Sequence, residues 1–189
     1  MHQQINKNLY IMKTKKEFTV RYEELKAQVA NLEKQYETSR NIWRVSGYKD
    51  NEAYKEMITA ERKMAQSKRD CEFYKMLSED QPIYANQYFY TDVEPWEVVE
   101  IKTDRLLIVR PMKAELKKDA EKALRESFIP GGFIGHFNND AQEWEYTSDT
   151  TAGTAEIRRH KDGTFRMAGD RGTCFYIAEA PRKYYDYNF

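Results

Sequence analysis

The chain has 189 residues, 40 % hydrophobic and 33 % charged, poorer in apolar and richer in charged side chains than an ordinary globular domain. Lys+Arg and Asp+Glu each number 31, and dividing the chain after residue 82 leaves 16 basic and 13 acidic residues before it and 15 and 18 after it, so no global field draws in nucleic acid. No apolar run reaches the roughly 18 residues a membrane span needs, and the balance suits a shape with much surface for its volume, a helical hairpin joined to a compact domain.

Residues 1–13 carry no strong pattern and are expected to be a disordered leader without a signal-peptide core. The helical hairpin is placed over 14–80. Thr14 with Glu17 fits a capping box at its start. Phe18, Tyr22, Leu25, Val29, Leu32 and Tyr36 follow at the a/d spacing of a coiled-coil seam, which weakens at Ser39 before Trp43. Ser46-Gly47 breaks this helix and Asp50-Asn51 caps a second. The second seam is Ala53, Met57, Ala60, Met64, Ser67, Cys71 and Tyr74, small and soft residues that admit the large knobs of the first helix. Ile42, Tyr54, Ile58 and Phe73 lie off the seams and ask for a third surface, either the rest of the chain or a second copy; a homodimer through the hairpin is allowed.

Pro82 ends the second helix. Beyond it, residues 83–189 read as a β-rich domain: a small curved sheet or SH3-like barrel, making the whole chain α+β. The run over 83–90 is strand-like, and 96–102 and 106–110 flank the Thr103-Asp104-Arg105 turn. A charged helix is expected as an insertion over 112–126. Pro130, Gly131 and Gly132 read as a turn that uses positive φ, with Gly135 at a close approach in the strand that follows. Residues 143–147 alternate as a strand, the Asp162-Gly163 turn joins two more, and 174–178 is the last. The closing aromatics pack back on the sheet.

The segment Phe128-Ile-Pro-Gly-Gly-Phe-Ile-Gly-His136 and the terminal Tyr184-Tyr-Asp-Tyr-Asn-Phe189, with Tyr90-Thr-Asp92 and the Lys161-Asp-Gly163 hairpin, resemble a family of small uncharacterised proteins encoded by tailed phages and prophages, over roughly residues 84–189. The resemblance implies a phage origin and a place in the host cytoplasm, and carries no mechanism.

No catalytic residue, cofactor or metal site is assigned. His2, His136 and His160 are scattered, and Cys71 and Cys174 read as free thiols on separate elements. His136 with Asp140, and Asp149 with Glu156, are the only pairs a metal-dependent nuclease offers, and Asp in polar turns is usually a turn former. The one basic cluster is Arg158, Arg159 and Lys161 with Arg166 and Arg171; Tyr146 and Phe165 are candidate stacking faces for single-stranded nucleic acid. A solvated edge hairpin guarded by charge is the preferred reading of that cluster. The expected function is a non-enzymatic accessory protein, a host-defence inhibitor, that binds a host protein through the hairpin and a Tyr-rich β surface (14 Tyr). The alternatives are a nucleic-acid-binding module and, more remotely, a virion or assembly component.

Overall fold

The computed structural model describes residues 2–131, 136–170 and 172–188. The chain divides into two compact units, Met1–Asp80 and Gln81–Phe189. The first holds helices α1 (His2–Val45) and α2 (Asn51–Ser78), packed along each other. The expected seam is the observed one. Phe18, Leu25, Leu32 and Ser39 are buried on α1, and Tyr22, Val29, Tyr36 and Trp43 are half-buried, while every residue between them is exposed. On α2, Ala53, Met57, Ala60, Ser67 and Tyr74 are buried. Phe73, an off-seam residue, is buried as well, whereas Ile42 and Tyr54 stay exposed. Where the first seam thins at Ser39, its hydroxyl donates to the Glu56 carboxylate across the pair (3.2 Å). Lys68–Glu33 (2.9 Å) and Lys15–Asp80 are ion pairs between the two arms.

Helix runs from His2, not from a cap at Thr14, so the expected leader over 1–13 is part of α1. Residues 2–13 contain neither Pro nor Gly, and half of them are Gln, Lys, Leu or Met, all of which hold helix well. The other end is built as expected. Gly47 takes φ +66°, the Tyr48 N–H donates to the Trp43 carbonyl (2.9 Å), and the Asp50 carboxylate accepts from the Ala53 N–H (3.0 Å). Tyr48 also has φ +66°, a conformation costly for an aromatic residue, and its ring lies edge-on to Trp43 at 4.8 Å.

The second unit contains β1 (Tyr84–Tyr88), β2 (Val93–Thr103), β3 (Leu106–Leu116), α3 (Lys118–Glu126), β4 (Trp144–Ser148), β5 (Ala155–Arg159), β6 (Phe165–Met167) and β7 (Cys174–Ala178). Six strands close into an antiparallel barrel in the order β2-β1-β7-β6-β5-β3, with β3 pairing back onto β2. Two register irregularities in the β2–β3 ladder, at 98–100 and 101–103, supply the bending that closure requires. The interior is filled by Ala85, Leu107, Val109, Ile157, Phe165 and Phe175, none more than 1 % exposed. Trp96 meets Phe175 edge-on at 5.6 Å. Among the described residues, no helix is long and apolar enough to cross a membrane.

One edge of β3 serves two strands in succession: Leu106–Val109 pair with β5 and Met112–Leu116 with β4. Bonds from the Arg159 N–H to the Arg105 carbonyl and from the Lys117 N–H to the Glu143 carbonyl, 2.9 Å each, set the phase, with odd-numbered residues of β3 facing this edge. Pro111 is odd-numbered and falls between the two partners, so its missing N–H costs the ladder nothing.

Two expectations are corrected. The helix placed over 112–126 is shorter: Met112–Leu116 extends β3, because half-buried Met112, Ala114 and Leu116 alternate with exposed Lys113 and Glu115, and α3 begins at Lys118. The second concerns the Pro-Gly-Gly turn, before which Ile129 forms an isolated bridge with His136. Pro130 and Gly131 are exposed, Gly131 has no positive φ, and Gly132 and Gly135 lie outside the described residues.

Replacing Phe175 by Ala is expected to cost about 3–5 kcal/mol, read as a shift in chemical denaturation. Asp50→Ala is expected to cost only about 1 kcal/mol, the value of one helix N-cap.

Candidate functional site

The β5–β6 hairpin forms around the Asp162-Gly163 turn. Gly163 takes φ +86°, and the Asp162 carboxylate accepts from the Thr164 hydroxyl (2.7 Å) and the Thr164 N–H (3.0 Å). These two bonds, with Arg166 and His160 nearby, hold the Asp162 carboxyl below the usual carboxylate range. Residues alternate faces along each strand. Arg158 and Arg166 are directly opposite each other on the outside of the barrel, and Arg159 shares the inner face with Phe165.

The expected cluster is therefore only partly assembled. Arg158 and Lys161 are exposed, but Arg159 and Arg166 are half-buried, and Arg171 lies outside the described residues. Phe165 is 1 % exposed and cannot offer a stacking face. Tyr146 pairs with Ala114 on β4, whereas Arg158 pairs with Leu106, so about 26 Å of extended β3 separates them at roughly 3.3 Å per residue. Its hydroxyl accepts the Lys183 N–H (2.9 Å). The outer cations also have carboxylate neighbours: Arg166–Asp162 at 3.3 Å, Arg158–Glu156 at 3.8 Å and Lys102–Glu156 at 2.9 Å. The Lys102 ammonium is the main cause of the depressed Glu156 pKa.

A different set of aromatics completes the surface. Phe165 pairs with Phe175, so Arg166 and Cys174, one residue along on each strand, fall side by side on the outside. Cys174 in turn pairs with Tyr88 on β1. The outer row is thus Arg158, Arg166, Cys174 and Tyr88. Tyr176, two residues from Cys174, meets Tyr88 edge-to-face at 5.1 Å, and the Arg182 guanidinium reaches the Tyr88 hydroxyl (3.4 Å). Tyr176 and Phe89 are each more than two-fifths exposed and Tyr90 is 93 % exposed. Partial burial raises the Tyr176 hydroxyl pKa, and Cys174 beside it adds to the shift. That 83–90 and 174–178 are strand-like was visible in the sequence; which strands would be neighbours was not.

Beside these tyrosines, on the same outer face as Asn86, the C-terminal segment is strapped across the barrel by side chains. Asn86, 4 % exposed, donates to the Ala180 carbonyl (3.1 Å) and accepts from the Arg182 N–H (2.8 Å). Val93 and Tyr184 exchange two backbone bonds, 2.9 and 3.0 Å. Gln142 bonds both polar groups of Tyr185, 2.7 and 3.0 Å, and Asp92 accepts from the Asp186 N–H (3.0 Å). Asn188 brackets Phe137, accepting its N–H (2.6 Å) and donating to its carbonyl (3.0 Å). Lys183 pairs with Glu94.

Of the carboxylates considered for metal binding, Asp149 and Glu156 are engaged locally. Asp149 accepts from the Thr151 hydroxyl (2.6 Å), which lowers its pKa, and has Lys113 at 3.6 Å. Among the described residues no group of three or more His, Cys, Asp or Glu side chains could hold a metal ion. Both cysteines are free thiols. Comparison with protein-family models, curated proteins and solved structures returns no match.

Two outcomes follow from this geometry. Asn86→Ala is expected to lose hydrogen-exchange protection at the Arg182 and Tyr184 amides and to cost about 1–3 kcal/mol, because the part-buried bonds to the Arg182 N–H and the Ala180 carbonyl are lost together. Asp162 has a depressed pKa, so its turn bonds contribute fully above the ordinary carboxylate value of about 3.9 and are lost as pH falls through the lower folded value. The Thr164 amide resonance should report that step in an acid titration, and Asp162→Asn should abolish it.

Proposed function

We propose that the chain is a phage-encoded accessory protein that acts without catalysis in the host cytoplasm, by binding a host protein such as a component of a defence system. The observation that supports binding is the outer barrel row, in which the edge-to-face Tyr88–Tyr176 pair adjoins Arg166 and Arg158. Tyr and Arg are the residue types that concentrate binding energy at protein interfaces, and on a closed barrel little entropy is lost in ordering them. The phage origin rests on the resemblance over residues 84–189.

The nucleic-acid alternative is less well supported. Glu156 and Asp162 partly neutralise the cations it would use, and the tyrosine rings meet edge-to-face instead of lying open for successive bases. Pull-down from host lysate with the full chain as bait is expected to retain a partner that the folded Tyr88→Ala/Tyr176→Ala variant loses by at least about tenfold in affinity. Retention undiminished in that variant, or tight oligonucleotide binding at physiological salt with a steep salt dependence, would overturn the proposal.

A further inference from the structure

A second surface lies on β4. The Lys117 N–H to Glu143 carbonyl bond fixes the phase of the β3–β4 ladder, so the pairs 115↔145 and 113↔147 exchange its hydrogen bonds. The amides and carbonyls of Trp144, Tyr146 and Ser148 consequently point to the far side of β4. Among the described residues, no backbone group pairs with them. Among the described residues β4 is the one strand of the sheet outside the closed barrel, and so carries its free edge.

Acidic side chains outnumber basic ones beside that edge. Glu115 and Glu145 are directly opposite each other and both exposed, and among the described residues neither has an ion-pair partner. Like charges in this position are destabilising. A groove of about 740 Å³ between α3 and the β3–β4 pair is lined by Glu115, Asp119, Glu143 and Glu145, against the ammonium groups of Lys117 and Lys118, the first already paired with Glu143 (3.2 Å). Leu116, Ala120 and Ala123 give it an apolar floor.

We propose that the β4 edge is a strand-addition site for an extended basic segment of a partner protein. The outward groups of Trp144, Tyr146 and Ser148 supply main-chain hydrogen bonds, and a Lys or Arg of the added strand, in line with Glu145 and Glu115, relieves their repulsion. The same charges select against a second copy of this chain, since antiparallel pairing of two β4 edges brings their Glu145 carboxylates near each other. The site is separate from the tyrosine face and stands or falls independently of it.

The test uses the full chain and a peptide of alternating lysine and valine, about six residues long, with the glutamate–valine peptide as control. The lysine peptide is expected to bind and to protect the Trp144, Tyr146 and Ser148 amides from exchange, leaving those of Glu145 and Thr147, already bonded to β3, unchanged. Glu145→Lys should weaken it at least about tenfold without lowering the melting temperature, because the repulsion with Glu115 becomes attraction. Tyr88→Ala/Tyr176→Ala should bind the peptide normally. No binding, equal binding of both peptides, binding without protection of the three outward amides, or a dimer formed through β4 would each overturn the proposal.

Discussion

The second unit depends on β3 being longer than the barrel it closes. Its first half, Leu106–Val109, is held between β2 and β5, and its second half, Met112–Leu116, carries β4 on the same edge. A strand whose edge changes partner needs one position where no bond is made, and Pro111 occupies it. The substitution pattern follows. Leu107 and Val109 are fully buried, while beyond Pro111 the covered face is the opposite one, that of Met112, Ala114 and Leu116, and is only half-covered, because that half lies on a two-stranded extension and not within a closed wall. α3 follows directly from the end of this extension, where the Lys117 N–H bonds the Glu143 carbonyl, and it buries Ala120 and Leu124.

The barrel then has to hold a C-terminal segment that contributes no strand to it. Apart from the Val93–Tyr184 pair, the bonds come from side chains: Asn86, Tyr146, Gln142, Asp92 and Asn188 each engage the backbone of the strap or are engaged from it. Each such bond has a net worth of about 1 kcal/mol, but removing one partner exposes the other to the larger cost of an unpaired buried group. Irregular backbone can be placed firmly in this way. The Tyr90-Thr-Asp92 start, the segment around Phe137 and the terminal Tyr-Tyr-Asp-Tyr-Asn run, which read as separate motifs along the chain, are here one bonded assembly. Phe137 lies 5.0 Å from Phe128 and 5.9 Å from Tyr187, ring to ring.

How much of this was legible depended on whether a signal was local. The hairpin seam was, because a/d periodicity writes burial directly into residue spacing, and Phe18 to Tyr74 are buried or half-buried in register. The Asp162-Gly163 and Asp104-Arg105 turns were legible for the same reason. Met112–Leu116 was not: Lys113 and Glu115 alternating with Met112, Ala114 and Leu116 is a strand pattern, yet it follows a proline and precedes a true helix, and the helical composition of 118–126 absorbed it. Phe165 was misread as a surface ring because one residue of register decides which face a side chain takes. Tyr88 and Tyr176, 88 residues apart, meet only because β1 and β7 are neighbours, a fact of topology that no window along the chain contains. Asn86 and Gln87 gave no warning either, since buried amides inside a strand look like exposed ones until the strap that covers them is known.

Charge placement distinguishes the two surfaces. On the outer row, cations have neighbouring carboxylates, Arg166 with Asp162 and Arg158 with Glu156, so the local field is weak and the tyrosine rings dominate what the face can offer. A partner there would be chosen by shape and apolar contact, with ionic strength a secondary influence. On β4 the order is reversed: Glu115 and Glu145 are unrelieved, the apolar floor is narrow, and the backbone edge is indifferent to side-chain identity. Edge groups alone would invite any extended chain, including another copy of this one, and it is the opposed carboxylates that make the edge selective. The pair that weakens the β3–β4 ladder is thus also what keeps the exposed edge of an otherwise closed sheet from pairing with itself.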